Sequence, residues 1–148
     1  MVPGPATTAA ATQDPDGSML VVTDVRVSGH DAFDRLVFEI AGQGDVGWRI
    51  EYDDDPRSQG SGDPVSIEGD AVLRIALTHI AYPGDAPAQP RQGPERLRPT
   101  DTDVVVEILD DVLFEGRQEF FVGLRDVRPY RVARLDDPQR LVIDIETR

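Results

Sequence analysis

The chain has 148 residues, about the length of one domain, and its 28 acidic residues outnumber 15 basic ones to give a formal net charge of −13. This balance disfavours nucleic acid as a partner, because such binding depends on basic side chains that neutralise phosphates. The absence of cysteine excludes disulfides, thiolate metal sites and cysteine nucleophiles. No apolar run approaches the roughly 18 residues of a membrane span.

Residues 1–18 consist mainly of proline, alanine, threonine and glycine, without apolar periodicity. Such a stretch has too little apolar surface to offset the entropy lost on ordering. The sequence therefore predicts a disordered linker over residues 1–18, followed by one domain over residues 19–148.

From residue 19 onward, apolar residues alternate with polar ones in short runs that end at turn residues. This period of two is typical of half-buried strands, and the 12 prolines and 13 glycines disfavour long helices. The pattern predicts an all-β chain, folded as a single antiparallel β-sandwich of about eight or nine strands. The clearest runs lie at residues 21–27, 36–40, 48–52, 73–77, 104–108, 120–124, 130–134 and 141–145.

Two long connections, residues 53–63 and 81–103, interrupt the strands. Long loops on a rigid scaffold often carry binding residues, so aromatic and arginine side chains in or beside them are candidates. Aromatic rings offer stacking faces, and guanidinium groups can hold the carboxylates of a peptide stem. The predicted ligand-binding residues are Trp48, Tyr52, Arg57, Tyr82 and Arg96. The alternative is that these arginines pair with surface acids and that Trp48 or Tyr52 belongs to the core.

Grouped aspartates beside the first connection suggest a second kind of site. Asp53, Asp54 and Asp55 precede the loop and Asp63 lies across it, and calcium prefers several carboxylate oxygens of this kind. These four residues are the predicted calcium ligands. The alternative is a solvated acidic surface, since the spacing of a known calcium loop is absent.

The sequence offers no catalytic motif. Its two histidines, His30 and His79, lie in separate segments, and neither a serine nucleophile elbow nor a phosphate-binding glycine loop is present. We therefore predict no catalytic residues and no cofactor apart from the candidate calcium. A carboxylate pair acting on wall sugars stays open as an alternative, because 28 acidic residues provide many pairs.

Several segments, taken in order, carry a family resemblance. The chain ends in YRV at 130–132, DDP at 136–138 and RLVIDI at 140–145, which resembles the end of the AMIN domain. The run DRLVFEIAG at 34–42 fits the beginning of the same pattern. The middle segments, GWRIEY at 47–52, GSG at 60–62 and FEG at 114–116 with FFVGL at 120–124, more closely resemble the AMIN-like domain of actinobacterial envelope lipoproteins.

This resemblance implies a non-catalytic β-sandwich that binds peptidoglycan or a wall-associated protein. It also implies an extracytoplasmic location in the cell envelope, with a lipid anchor. The linker-like residues 1–18 resemble the segment behind a lipoprotein signal, which suggests a chain trimmed of its targeting segment. A different hypothesis is an assembly module that captures a protein partner through an exposed sheet edge.

Overall fold

The computed structural model describes residues 1–17 and 19–148. Within them the chain forms twelve strands and one 3-10 turn at Pro83–Asp85. The strands are β1 (Ala11–Gln13), β2 (Asp16–Gly17), β3 (Val21–Gly29), β4 (Phe33–Ala41), β5 (Gly44–Asp45), β6 (Gly47–Tyr52), β7 (Ala71–Thr78), β8 (Arg96–Leu97), β9 (Val105–Phe114), β10 (Arg117–Leu124), β11 (Tyr130–Leu135) and β12 (Gln139–Glu146).

The strands form two main antiparallel sheets. One has six strands in the order β1-β6-β7-β10-β9-β8, the other has four in the order β11-β12-β4-β3, and β2 pairs with β5 separately. The predicted all-β antiparallel class is confirmed. Eight of the strands have at least six residues, and these correspond to the eight alternating runs. No helix in residues 1–17 and 19–148 is long and apolar enough to cross a membrane.

The core lies between the facing sheets, where alternate side chains of each long strand point inward. Phe38 of β4 meets Phe120 of β10 with ring centroids 4.9 Å apart, and both are fully buried. The predicted inward positions of the last strands are also fully buried, as at Leu141 and Ile143. Truncating one of these side chains to alanine is expected to cost about 2–5 kcal/mol.

A β-bulge changes the inward phase of β3. The register slips between Val22 and Asp24, so the core positions are Val22 and then Val25, three residues later. Strict alternation predicted instead that Val21, Thr23 and Val25 share one face. The difference arises because a bulge inserts one extra residue and moves the preceding side chains to the opposite face.

The N-terminal segment lies against the sandwich, whereas its composition predicts a disordered linker. Within residues 1–17, β1 pairs with β6, and Thr7 pairs through its backbone with Tyr130 of β11. Val2 is buried and donates its N–H to Asp144, at 2.6 Å. The segment gains these contacts because it spans the gap between two edge strands, which its own composition does not reveal. Ser18, the last residue of the predicted linker, lies outside the described residues.

Each long connection covers part of the sandwich. Residues 53–70 run across the outer face of the six-stranded sheet, where Ser58 donates to Asp111 and the Glu68 N–H donates to Glu107. Gly123 permits this passage, since a Cβ there would lie 1.7 Å from the Glu68 carbonyl oxygen. Residues 81–103 run along the side of the sandwich where β3 and β9 lie, and contribute β8.

Candidate functional site

A pocket beside the single tryptophan is the best candidate for a binding site. It has a volume of about 370 Å³ and is lined by Gln13, Asp14, Asp16, Asp45, Val46, Trp48 and Arg134. We call it the Trp48 pocket. Its walls come from the N-terminal segment, from β5 and β6, and from β11, so residues distant in sequence meet there.

A pair of glycines brings two of these walls together. Gly17 and Gly44 face each other in the β2–β5 pair, both with positive φ, and a Cβ on Gly17 would lie 2.8 Å from the Gly44 Cα. The close approach places Asp16 directly opposite Asp45. Gln139 fixes the backbone on both sides of Asp45, because its side chain accepts the Val46 N–H at 2.8 Å and donates to the Gly44 carbonyl at 2.9 Å.

Trp48 joins the pocket to the core. It lies in β6 opposite Leu77 and Gln13, and its half-buried side chain packs against the core while also lining the pocket. An indole in this position is held firmly by its buried part and offers the remainder to a ligand.

The pocket has an excess of negative charge. Its lining contains three aspartates and one arginine, so its formal charge is −2. Arg134 donates to Asp45 and also, at 3.1 Å, to Asp136 outside the pocket. Asp14 and Asp16 are exposed and form no ion pair with any residue in the described ranges.

The other predicted ligand-binding residues lie elsewhere. The Tyr52 hydroxyl accepts the Arg128 N–H at 2.9 Å and donates to the Arg128 carbonyl, and burial raises the pKa of Tyr52, so the neutral phenol fixes the β10–β11 connection. Tyr82 is exposed and its hydroxyl accepts the Glu115 N–H at 2.9 Å, beside the β9–β10 turn.

The two predicted arginines form ion pairs with acids of the domain. Arg57 pairs with Asp55 at 2.9 Å, and Arg96 pairs with the buried Glu107 at 3.0 Å. Burial opposes the charge on Glu107, but hydrogen bonds from the Glu68 N–H and Arg96 outweigh it and hold the pKa of Glu107 below its usual range. The five predicted residues therefore occupy separate places, and only Trp48 lines the Trp48 pocket.

The four predicted calcium ligands do not converge. Asp53 accepts the Asp55 N–H at 2.9 Å in a local turn, and the Asp55 carboxylate pairs with Arg57. Asp54 and Asp63 are exposed. In the part of the chain that the structure describes, no group of three or more histidine or acidic residues has the arrangement of a metal site. Tyr52, Asp53 and Asp54 do line a second pocket of about 270 Å³, together with Val127.

Sequence reasoning missed the other residues of the Trp48 pocket. Gln13, Asp14 and Asp16 fall in the predicted linker, and Arg134 lies in a strand 86 positions after Trp48. One local signal was available: Gly17 and Gly44 each follow or precede an aspartate, as in the turns that bring short strands together.

Comparison with known proteins gives one match. The profile of the AMIN-like domain matches residues 20–147, which is most of the chain. No curated protein and no solved structure shows significant similarity to it. AMIN-like domains are generally non-catalytic and occur in extracytoplasmic proteins of the cell envelope. The chain belongs to the AMIN-like domain family.

Proposed function

We propose that this domain is a non-catalytic cell-envelope module that binds peptidoglycan through the Trp48 pocket. The observation that carries the proposal is the placement of the only tryptophan in a concave pocket with unpaired carboxylates. Family membership supports the association with the cell wall. The ligand within peptidoglycan is inferred from the chemistry of the pocket.

The pocket chemistry favours an amine over a carboxylate. Arg134 already pairs with Asp45, whereas Asp14 and Asp16 form no ion pair within the described residues. An ammonium group in the pocket would pair with these two carboxylates, and the indole of Trp48 would add a cation–π attraction. Peptidoglycan supplies such groups as the free amines of its stem peptides. The sequence leads us to expect arginines that bind the carboxylates of stem peptides. This pocket does not have that arrangement, because its one arginine, Arg134, pairs with Asp45.

A sacculus pull-down at two salt concentrations tests the proposal. The wild-type domain should be retained at low ionic strength and less at high ionic strength, because exposed charges are screened beyond about 8 Å at physiological salt. Sacculi whose amines have been acetylated should retain about tenfold less protein, a loss of about 1.4 kcal/mol in binding free energy.

Matched variants separate the pocket from the overall charge. Asp14→Asn with Asp16→Asn should lose retention, because these carboxylates line the pocket. Asp54→Asn with Asp85→Asn removes the same charge from exposed positions outside it, and should leave retention unchanged or raised, since the wall itself is anionic. Equal behaviour of the two double variants, or no retention of the wild type at either salt concentration, would refute the proposal.

The same assay distinguishes the wall polymer from a wall-associated protein. Sacculi boiled in detergent lose their bound proteins but keep the glycan and the stem peptides. Retention on stripped sacculi supports direct binding to peptidoglycan. Retention on unstripped sacculi alone would assign the ligand to a protein and overturn the proposal.

A further inference from the structure

The two lateral sides of the sandwich are closed differently. On one side the N-terminal segment spans the gap between the sheets, pairing through β1 with β6 and through Thr7 with β11. On the other side the edge strands are β3 of the four-stranded sheet and β8 of the six-stranded sheet. Between β3 and β8 lies a groove of about 420 Å³, lined by Val25, Arg26, Val27, Leu97, Arg98 and Pro99. We call it the β3–β8 groove.

Within residues 1–17 and 19–148, the chain covers the outer edge of β3 only at its two ends. Near one end the Arg91 N–H donates to the Val22 carbonyl at 2.9 Å. At the other end the Gly29 N–H donates to the Asp101 side chain at 3.2 Å, and a Cβ on Gly29 would lie 1.9 Å from the Asp101 carbonyl oxygen. Residues 92–100 leave the edge between these points, where β8 pairs with β9.

The open part of the edge exposes backbone groups to the groove. His30 donates its N–H to the Phe33 carbonyl in the β3–β4 turn, so by antiparallel alternation Ser28 and Arg26 bond to β4. The N–H and C=O groups of Val27 therefore point away from β4, in agreement with the direction of the Gly29 N–H. No residue in the described ranges bonds to the Val27 backbone on that side. The neighbouring Val25 N–H is bonded by the Asp24 side chain at 3.0 Å.

The lining of the groove defines the occupant. Val25, Val27, Leu97 and Pro99 provide apolar contacts, and two guanidinium groups stand beside them. The side chains of Arg26 and Arg98 are 47% and 60% exposed, and each pairs with two of the domain's own acids. A guanidinium has five N–H donors, so each arginine can hold a further carboxylate.

We propose that the β3–β8 groove captures an extended segment of a partner protein, with apolar residues alternating with acidic ones, as an added strand on β3. The distance from Val22 to Gly29 is roughly 23 Å along the strand. Because the chain covers both ends of this stretch, the open part between them takes a segment of about five residues. Main-chain hydrogen bonds to Val27 supply affinity, and the apolar and arginine side chains select the sequence. The N-terminal segment shows the same mode of cover on the opposite side of the sandwich.

Amide hydrogen exchange on the free domain tests the exposed edge directly. The Val27 amide should exchange much faster than those of Arg26 and Ser28, which bond to β4. A Val27 amide as protected as its two neighbours in dilute protein would overturn the proposal. If its protection rises with protein concentration as a dimer forms, the occupant is a second copy and the proposal is also wrong.

Binding is tested with a seven-residue peptide of alternating valine and glutamate, followed by NMR. The peptide should protect the Val27 amide and shift the resonances of the groove residues, whereas a peptide of alternating valine and lysine should not. Arg26→Ser should weaken binding about tenfold. Arg49→Ser is the control, because Arg49 is 49% exposed and pairs with an acid two residues away, as Arg26 does. Absence of binding, or equal loss in both variants, would refute the proposal, independently of any result with sacculi.

Discussion

Asp34 anchors the long connection between residues 81 and 103, and its replacement by asparagine gives a sharp test of this structure. The fully buried carboxylate accepts three backbone N–H groups, from Asp103 at 3.1 Å, Val104 at 2.7 Å and Val105 at 2.9 Å. Asparagine can place its one acceptor oxygen at the Oδ2 position, which accepts all three N–H groups, but its NH₂ group then faces the Asp103 N–H. The three bonds lose their charge assistance, about 1 kcal/mol each, which gives a total of about 3 kcal/mol.

Urea and thermal unfolding measure this cost. For a domain of this size, a loss of about 3 kcal/mol lowers the melting temperature by about 6–12 °C. Asp31→Asn is the control, because Asp31 lies in the neighbouring turn with a side chain that is 89% exposed. The Val104 and Val105 amides should also exchange faster in Asp34→Asn. A loss below 1 kcal/mol, or no change at these two amides, would refute the reasoning.

Three further variants test other parts of the fold. Asp144→Asn should lower the free energy of unfolding by about 3–5 kcal/mol at pH 7. Burial opposes the charge on Asp144, but hydrogen bonds from Arg35 and the Val2 N–H outweigh it and hold the pKa of Asp144 below its usual value. The difference from wild type in urea unfolding should therefore shrink as pH falls below about 4. Tyr130→Phe should lower the free energy of unfolding by about 1 kcal/mol at pH 8. Burial raises the pKa of Tyr130 to about 12, so the stability that the neutral phenol gives the wild type is lost as pH rises from about 10 to about 12. If Tyr130→Phe lost as much stability as the wild type over this pH range, the assignment to Tyr130 would be wrong. Gly123→Ala should cost about 1–3 kcal/mol in thermal unfolding, because the added Cβ meets the Glu68 carbonyl. Gly84→Ala is the control and should be neutral, because a Cβ there meets nothing within 4 Å. Equal effects of the two substitutions would contradict the close approach of Gly123 to Glu68.

Alternation and turn residues were sufficient to predict the long strands and most of the core. Phe120, Val122 and Leu124 are all fully buried, as their spacing predicts. Alternation does not indicate which face a side chain occupies where the backbone departs from strict pairing. Each bulge shifts the phase by one residue, and the two-residue strand β8 exists only because residues 81–103 pass along the edge of β9.

The candidate site was predictable only in its aromatic part. Trp48 stood out because it is the single tryptophan and lies in a clear strand. The carboxylates beside it could not be found, since Asp14 and Asp16 belong to a segment whose order depends on gaps left by distant strands. Arg57 pairs with Asp55, two residues before it in the sequence, whereas the partner of Arg96, the buried Glu107, is supplied by the neighbouring strand β9.

Ligand binding and mechanical tension would act in opposite directions on the docking of the N-terminal segment. Gln13, Asp14 and Asp16 belong to that segment, so the Trp48 pocket is complete only while the segment stays on the sandwich. A ligand present at a hundredfold excess over its dissociation constant would stabilise the docked state by about 2.7 kcal/mol. Tension that peels the chain away from Thr7 toward β2 would dismantle the pocket and release the ligand. Under the proposed function, a pull on the N-terminal segment would therefore weaken the binding of the ligand in the Trp48 pocket.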